Sequence, residues 1–220
     1  MADPSPASPP TRKRGRSEAP TRAARQPSVP RITREQILDL AGPLFVDHGY
    51  YATSLGDIAK RLGVTPPALY WYFPSKEAIL HAVLERELSF FLHAGERVLR
   101  RTTADGRLRA YVSLHVRYRL DRKSSSDGNA YYSVAQLTRF LRGAQRQAIV
   151  TLQSRLLRLV VDILESGITS GEFRPLDVTP TAFVILSTCE LVAWPSPGGR
   201  LGPAEIADLY EDLVVRMVRA

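Results

Sequence analysis

Cysteine is almost absent. The single Cys189 among 220 residues excludes a disulfide framework and any multi-cysteine zinc site; on an apolar helical stretch it reads as an inert small hydrophobe. Long apolar runs are missing too. The longest candidate, Ala182 to Ala193, is interrupted by Thr188 and Glu190, short of the ~20 residues a membrane helix needs. The N-terminus is basic with no apolar stretch behind it, so no secretory signal is expected, and the expected compartment is a reducing cytoplasm with no membrane partner. Catalytic signatures are lacking as well. His48, His81, His93 and His115 form no HExxH pair and there is no glycine-rich phosphate loop, so neither an enzyme nor a metal or cofactor is expected. No alternation of period two is long enough to demand a strand.

What the chain does have is positive charge, 30 Lys and Arg against 22 Asp and Glu for a net +8. That balance points to an anionic partner, nucleic acid foremost. The excess is concentrated in residues 1–31, where Arg12, Lys13, Arg14, Arg16, Arg22, Arg25 and Arg31 face only Asp3 and Glu18, and where seven of the 16 prolines lie. Such a segment has too little apolar surface to offset the entropy of ordering it, so it reads as a disordered basic tail. It is either an arm that tracks DNA phosphates or a solvated leader.

From residue 33 the signals are helical. Thr33 and Gln36 make a capping box ahead of Ile37, Leu40, Ala41, Leu44 and Phe45, with Gly49 as the stop. Ser54 and Asp57 make a second box for a short helix carrying Leu55, Ile58, Ala59 and Leu62, ended by Gly63. Thr65 stands as a third N-cap with Pro66 at the first helical position, and that helix closes near Phe73-Pro74. Two short helices joined by a tight glycine turn and braced by a longer one make a helix-turn-helix.

Ser75 caps a fourth helix to about Arg100, and a fifth spans roughly Arg107 to Leu120. A break follows at Ser124 to Asn129, then a short piece around Tyr131 to Phe140. A long helix runs from Gly143 to Ser170, its end frayed by Gly167 and Gly171. Thr179 caps a helix to Trp194, and Pro203 opens the last, to about Arg219. The expected fold is all-α. It comprises a tail (1–31), a helix-turn-helix DNA-binding domain (32–76) and a helical ligand-binding and dimerisation domain (77–220).

The stretch Gly49-Tyr50-Tyr51-Ala52-Thr53-Ser54, then Asp57-Ile58-Ala59, Gly63-Val64-Thr65 and Leu69-Tyr70-Trp71-Tyr72-Phe73-Pro74-Ser75-Lys76-Glu77 resembles the TetR family of bacterial transcriptional regulators. The resemblance implies a homodimer that binds a palindromic double-stranded DNA operator, most often represses, and lets go when a small hydrophobic effector binds. The alternative class is a sequence-tolerant DNA-binding helical protein that relies on its basic tail.

On that footing Thr65, Pro66, Pro67 and Ala68 front the recognition helix. They offer a hydroxyl, two rings and a methyl rather than a long bidentate donor. Tyr70 and Tyr72 align with backbone-contacting aromatic positions, whereas Trp71 and Phe73 are expected in the core. Lys76 at the start of the fourth helix, with Thr53 and Ser54 at the start of the second, are expected on phosphates. Lys60, Arg61 and Arg31 are either further contacts or a solvated face. Phe91, Tyr111, His115, Tyr118, Tyr132 and Trp194 are candidates to line the effector pocket, with ordinary core packing as the alternative. Ile206, Leu209, Leu213 and Met217 give the last helix a face broad enough for dimer packing. The loop Trp194-Pro195-Ser196-Pro197-Gly198-Gly199-Arg200-Leu201 resembles one in family members that respond to acyl-CoA thioesters. In that case Arg117 and Arg119 would meet phosphates; otherwise the pocket takes another hydrophobic or aromatic molecule.

Overall fold

The computed structural model describes Met1 and residues 32–101, 103–123, 134–192 and 201–220. The basic tail, Arg31, Tyr132, Trp194 and most of the Pro-Gly-Gly-Arg loop lie outside the described residues. Within them the chain forms nine α-helices and no strand. They are α1 (Arg34–Asp47), α2 (Leu55–Leu62), α3 (Pro66–Tyr70), α4 (Lys76–Val98), α5 (Ala104–Lys123), α6 (Val134–Thr138), α7 (Gly143–Thr169), α8 (Val178–Leu191) and α9 (Pro203–Val218). The all-α class is the one read from the sequence.

Helix starts in the N-terminal module follow local chemistry. Thr33 and Gln36 close their capping box reciprocally, the Gln36 N–H donating to Thr33 Oγ1 at 3.2 Å and the Thr33 N–H to Gln36 Oε1 at 2.8 Å. Ser54 and Asp57 do the same at 2.8 and 3.1 Å. The turn between α2 and α3 passes through Gly63 at φ 69°, a left-handed conformation that a side chain would strain.

Several details depart from local reading, two of them for a tertiary reason. Helix α5 begins at Ala104 rather than Arg107, because the distant Glu172 carboxylate accepts the Ala104 and Asp105 N–H groups at 3.1 and 3.0 Å. Helix α8 starts one residue before Thr179, with Asp177 in the N-cap position. Gly167 does not fray α7 but is buried inside it. A Cβ there would run into the Phe173 ring, which folds back after the chain reverses at Gly171, φ 77°.

The apolar interior divides in two. One core joins α1–α3 to the first two-thirds of α4 and to α6 and the front of α7, from Ile37 and Phe45 through Leu80 and Phe91 to Leu137 and Ile149. The other joins the end of α4 to α5, the rear of α7, α8 and α9, from Leu108 and Val112 through Ile163 to Val214. The division between the two cores falls within α4. That helix is therefore common to the helix-turn-helix and the larger helical body.

Candidate DNA interface and regulatory core

The front of α3 is a small open surface. Thr65 has N-cap backbone geometry but makes no side-chain cap bond, in contrast to the expectation. Pro67 offers no N–H, and the Ala68 N–H is taken by the Thr65 carbonyl at 2.9 Å. Thr65, Pro66 and Pro67 are exposed and Ala68 partly so. Beside them Tyr70 is exposed too. Trp71 is not core: it is 90% exposed while Phe73 is buried. Leu69 and Phe73, four apart, share the inward face, and Trp71 falls on the opposite side of that turn.

The other expected phosphate contacts are already engaged. Thr53 is buried, its hydroxyl shared between the Leu44 and Gly49 carbonyls at 3.2 and 3.0 Å; it locks the α1–α2 loop, its side chain turned into the protein. Ser54 is exposed but donates to Asp57 Oδ2 at 2.6 Å. The Tyr72 hydroxyl donates to the Ile32 carbonyl, tying the end of the recognition helix to the entry of α1. Lys76 donates to the Tyr50 and Thr53 carbonyls, both at 2.8 Å, and its ammonium lies 4.4 Å from the centre of the Tyr50 ring. Burial lowers its pKa. Lys76 thus braces the α1–α2 loop, leaving one ammonium donor for other use. Lys60 and Arg61 are exposed, and Arg61 Nη2 lies 3.4 Å from His48 Nε2.

Behind this module two contacts join it to the α6–α7 corner. Phe140 stacks on Tyr50, centroids 4.9 Å apart, and meets Tyr51 edge-on at 5.0 Å. Glu77, in the first turn of α4, accepts the Arg142 N–H at 2.8 Å where α7 begins.

Of the pocket candidates, Phe91, Tyr111 and His115 are buried and Tyr118 is half-buried. The structure brings them together. His115 stacks on Phe91 with centroids 4.0 Å apart and meets Tyr111 at 5.9 Å; Tyr118 packs against Phe91 at 4.8 Å. This cluster is polar as well as aromatic. Arg119, one turn past His115, lies 2.8 Å from Glu87 and 4.0 Å from Glu190. Burial works against the Arg119 charge, but the two carboxylates outweigh it and its pKa rises. Burial raises the Glu190 pKa despite Arg119. Burial, and then the Arg119 charge, hold His115 well below the ordinary histidine range, so its ring is neutral. The Cys189 thiol is pushed up to about 12 by burial, which keeps it inert. Among the described residues, Tyr111 Oη, both His115 ring nitrogens and Arg119 Nε are buried without a hydrogen-bond partner. Each such group costs about 1–3 kcal/mol if left so. Of the two arginines that the acyl-CoA resemblance would turn to phosphates, Arg119 faces two carboxylates and Arg117 is exposed and 3.7 Å from Asp208.

The dimer candidates split. Ile206 is buried in its own subunit's core, and Met217 is partly buried against it. Leu209 and Leu213 face outward, as do Phe183 and Val184 on α8. Ile206, Val214 and Val218 form the stripe against α5, so Ile206 is corrected from interface to core.

Two family models match the chain. Residues 37–83 match the one described as bacterial regulatory proteins of the tetR family, and residues 101–218 match the tetracyclin repressor-like C-terminal domain. The chain belongs to the TetR family. Its TetR relatives include the HTH-type transcriptional repressor KstR2 of Mycolicibacterium smegmatis, 29% identical over 198 residues covering 86% of this chain and 92% of that protein. Among solved structures, the TetR regulator PfmR of Thermus thermophilus is 31% identical and superposes with a TM-score of 0.70 over 82% of this chain and 97% of that one. A TetR-family regulatory protein from Rhodococcus RHA1 gives a TM-score of 0.73 at 26% identity, covering 85% and 97%. Like its family, the chain is a DNA-binding, ligand-responsive transcriptional regulator. No helix among the described residues is long and apolar enough to cross a membrane.

Sequence reading missed Phe140, Glu87, Glu190, Phe183 and Val184. Two of these left a local trace: Glu190 interrupts the most apolar run, and Glu87 lies one turn before Phe91 on the inward side of α4. Charges inside an apolar stripe are the sign of a polar group held in a core.

Proposed function

We propose that this TetR-family chain is a repressor that binds a palindromic operator as a homodimer and is released when a small, largely hydrophobic effector enters the α4–α5–α8 core. Residues 32–76 act as the DNA-binding unit and 77–220 as the effector and dimer unit. The observation that carries the reading is α4. Its first turn, with Lys76 and Glu77, lies in the helix-turn-helix, and Glu87 and Phe91 farther along face the polar aromatic cluster. An effector that binds better with α4 tilted draws the population toward that state, and half-site spacing on DNA tolerates little tilt.

Thr65, Pro66, Pro67, Ala68 and Tyr70 meet the duplex, while Thr53, Tyr72 and Lys76 hold the surface in shape, Lys76 with one donor left for phosphate. The front of α3 favours contacts to thymine methyls and backbone over bidentate base recognition. Leu209 and Leu213 with Phe183 and Val184 supply the dimer face. Repression is favoured over activation because the likeness to KstR2 runs along 86% of the chain, whereas that to the activator FasR is limited to 76 residues. Acting on DNA, the protein works in the cytoplasm and needs no catalytic step.

Selection of bound duplexes from a random pool, at a stated salt concentration, tests the reading. A palindrome with half-sites about one helical turn apart is expected. Enrichment of no sequence over random DNA would instead support the sequence-tolerant alternative that relies on the basic tail.

A further inference from the structure

Three hydrogen-bond donors stand in one row on α5, at intervals of four residues: Tyr111, His115 and Arg119. That spacing puts them on one face, turned toward Phe91 and Glu87 of α4 and Glu190 of α8. Tyr111 Oη, both ring nitrogens of His115 and Arg119 Nε are fully buried, and no described residue accepts from or donates to them. A neutral imidazole carries one N–H and one acceptor, so the row offers a phenolic O–H, a ring N–H and a guanidinium N–H. Glu87 Oε1 is also buried without a hydrogen bond, but it lies 2.8 Å from Arg119 Nη1 in an ion pair; the O–H of Tyr111 and the ring N–H of His115 are left for an acceptor oxygen. Charge narrows the choice. Among the described residues Arg119 is the one cation of the cluster, and it faces two carboxylates, so an incoming anion would meet unbalanced negative charge in a region of low dielectric. Phe91, Tyr118 and Phe90 beside the row are aromatic and suit an apolar body.

We infer that Tyr111 and His115 bind the carbonyl oxygen of an uncharged apolar effector, and that Glu87 and Glu190, beside Arg119, exclude carboxylates from the same place. This rests on the reading of the larger helical body as an effector domain and adds the chemical class of the effector.

Calorimetric titration of the DNA-free protein with 2-decanone and with decanoate, at neutral pH and below micellar concentrations, tests it. The ketone is expected to bind about tenfold more tightly than the carboxylate. Tyr111→Phe is expected to weaken ketone binding by about tenfold while its melting temperature holds or rises, since the hydroxyl it removes has no partner in the protein. Glu190→Gln is expected to raise decanoate affinity, a change that a purely structural Glu190 would not produce. Binding of neither probe, decanoate binding as tightly as the ketone, or a Tyr111→Phe protein with unchanged ketone affinity each overturns the inference. Because the titration needs no DNA, such a failure alongside a selected operator leaves the repressor reading intact. A protein that takes the ketone but selects no operator sinks the repressor reading alone.

Discussion

At Thr53 a hydroxyl that local sequence places beside DNA turns instead to the Leu44 and Gly49 carbonyls. Its pairing is a matter of stability. Thr53→Val is expected to lower the unfolding free energy by about 1 kcal/mol, read as a shift in the urea midpoint, and to leave the slope of operator affinity against salt unchanged, since no phosphate contact is lost. Thr65 is the converse: its hydroxyl caps nothing. Thr65→Ala is expected to keep the melting temperature and to weaken operator binding roughly fivefold, the equivalent of one hydrogen bond. Glu172 is a third case. The Asp105 and then the Ala104 N–H hold its pKa below the ordinary glutamate value. The unfolded chain therefore takes up the proton first, and the stability Glu172 contributes, complete above the ordinary carboxylate range, is lost as pH falls through its lower native pKa. Melting temperatures followed from about pH 6 to about pH 3 are expected to fall less steeply in Glu172→Gln.

Helices α1 to α3 were legible from the chain because their signals are local. The capping boxes at Thr33 and Ser54 and the glycine turn at Gly63 each involve residues within three or four positions of one another. The start of α5 was not, because its cap, Glu172, is 67 and 68 residues away. Nor was the role of Phe140, whose partners Tyr50 and Tyr51 lie in a different module. That stack, with Glu77 on the N–H of Arg142, the N-cap of α7, is a direct link between the α6–α7 corner and the helix-turn-helix. Phe140→Ala is expected to leave 2-decanone affinity unchanged while shrinking the ketone-induced change in operator affinity by roughly fivefold, as befits a coupling residue. Competition binding with and without ketone measures it.

For the molecule as a whole, the inner stripe of α9 serves the subunit and the outer one stays exposed, where the proposed dimer face lies. Ile206, Val214 and Val218 are buried against the second core, whereas Leu213 is 55% and Phe183 of α8 is 64% exposed. Glutamates at Leu209 and Leu213 together are expected to leave each subunit folded, to shift light-scattering mass from dimer to monomer, and to abolish preference for a palindrome over a single half-site. A variant that remains dimeric would move the interface elsewhere.

Composition, helical periodicity and turn chemistry were enough to determine an all-α chain with a helix-turn-helix in front, because each depends on neighbours along the backbone. Only the tertiary structure decided which polar side chains stay open to a partner. Thr53, Tyr72 and Lys76 are consumed by carbonyls of the same module, while Thr65, Tyr111 and His115 are not. A donor's availability depends on which acceptors the folded chain brings within about 3 Å of it, and residues distant in sequence supply most of those.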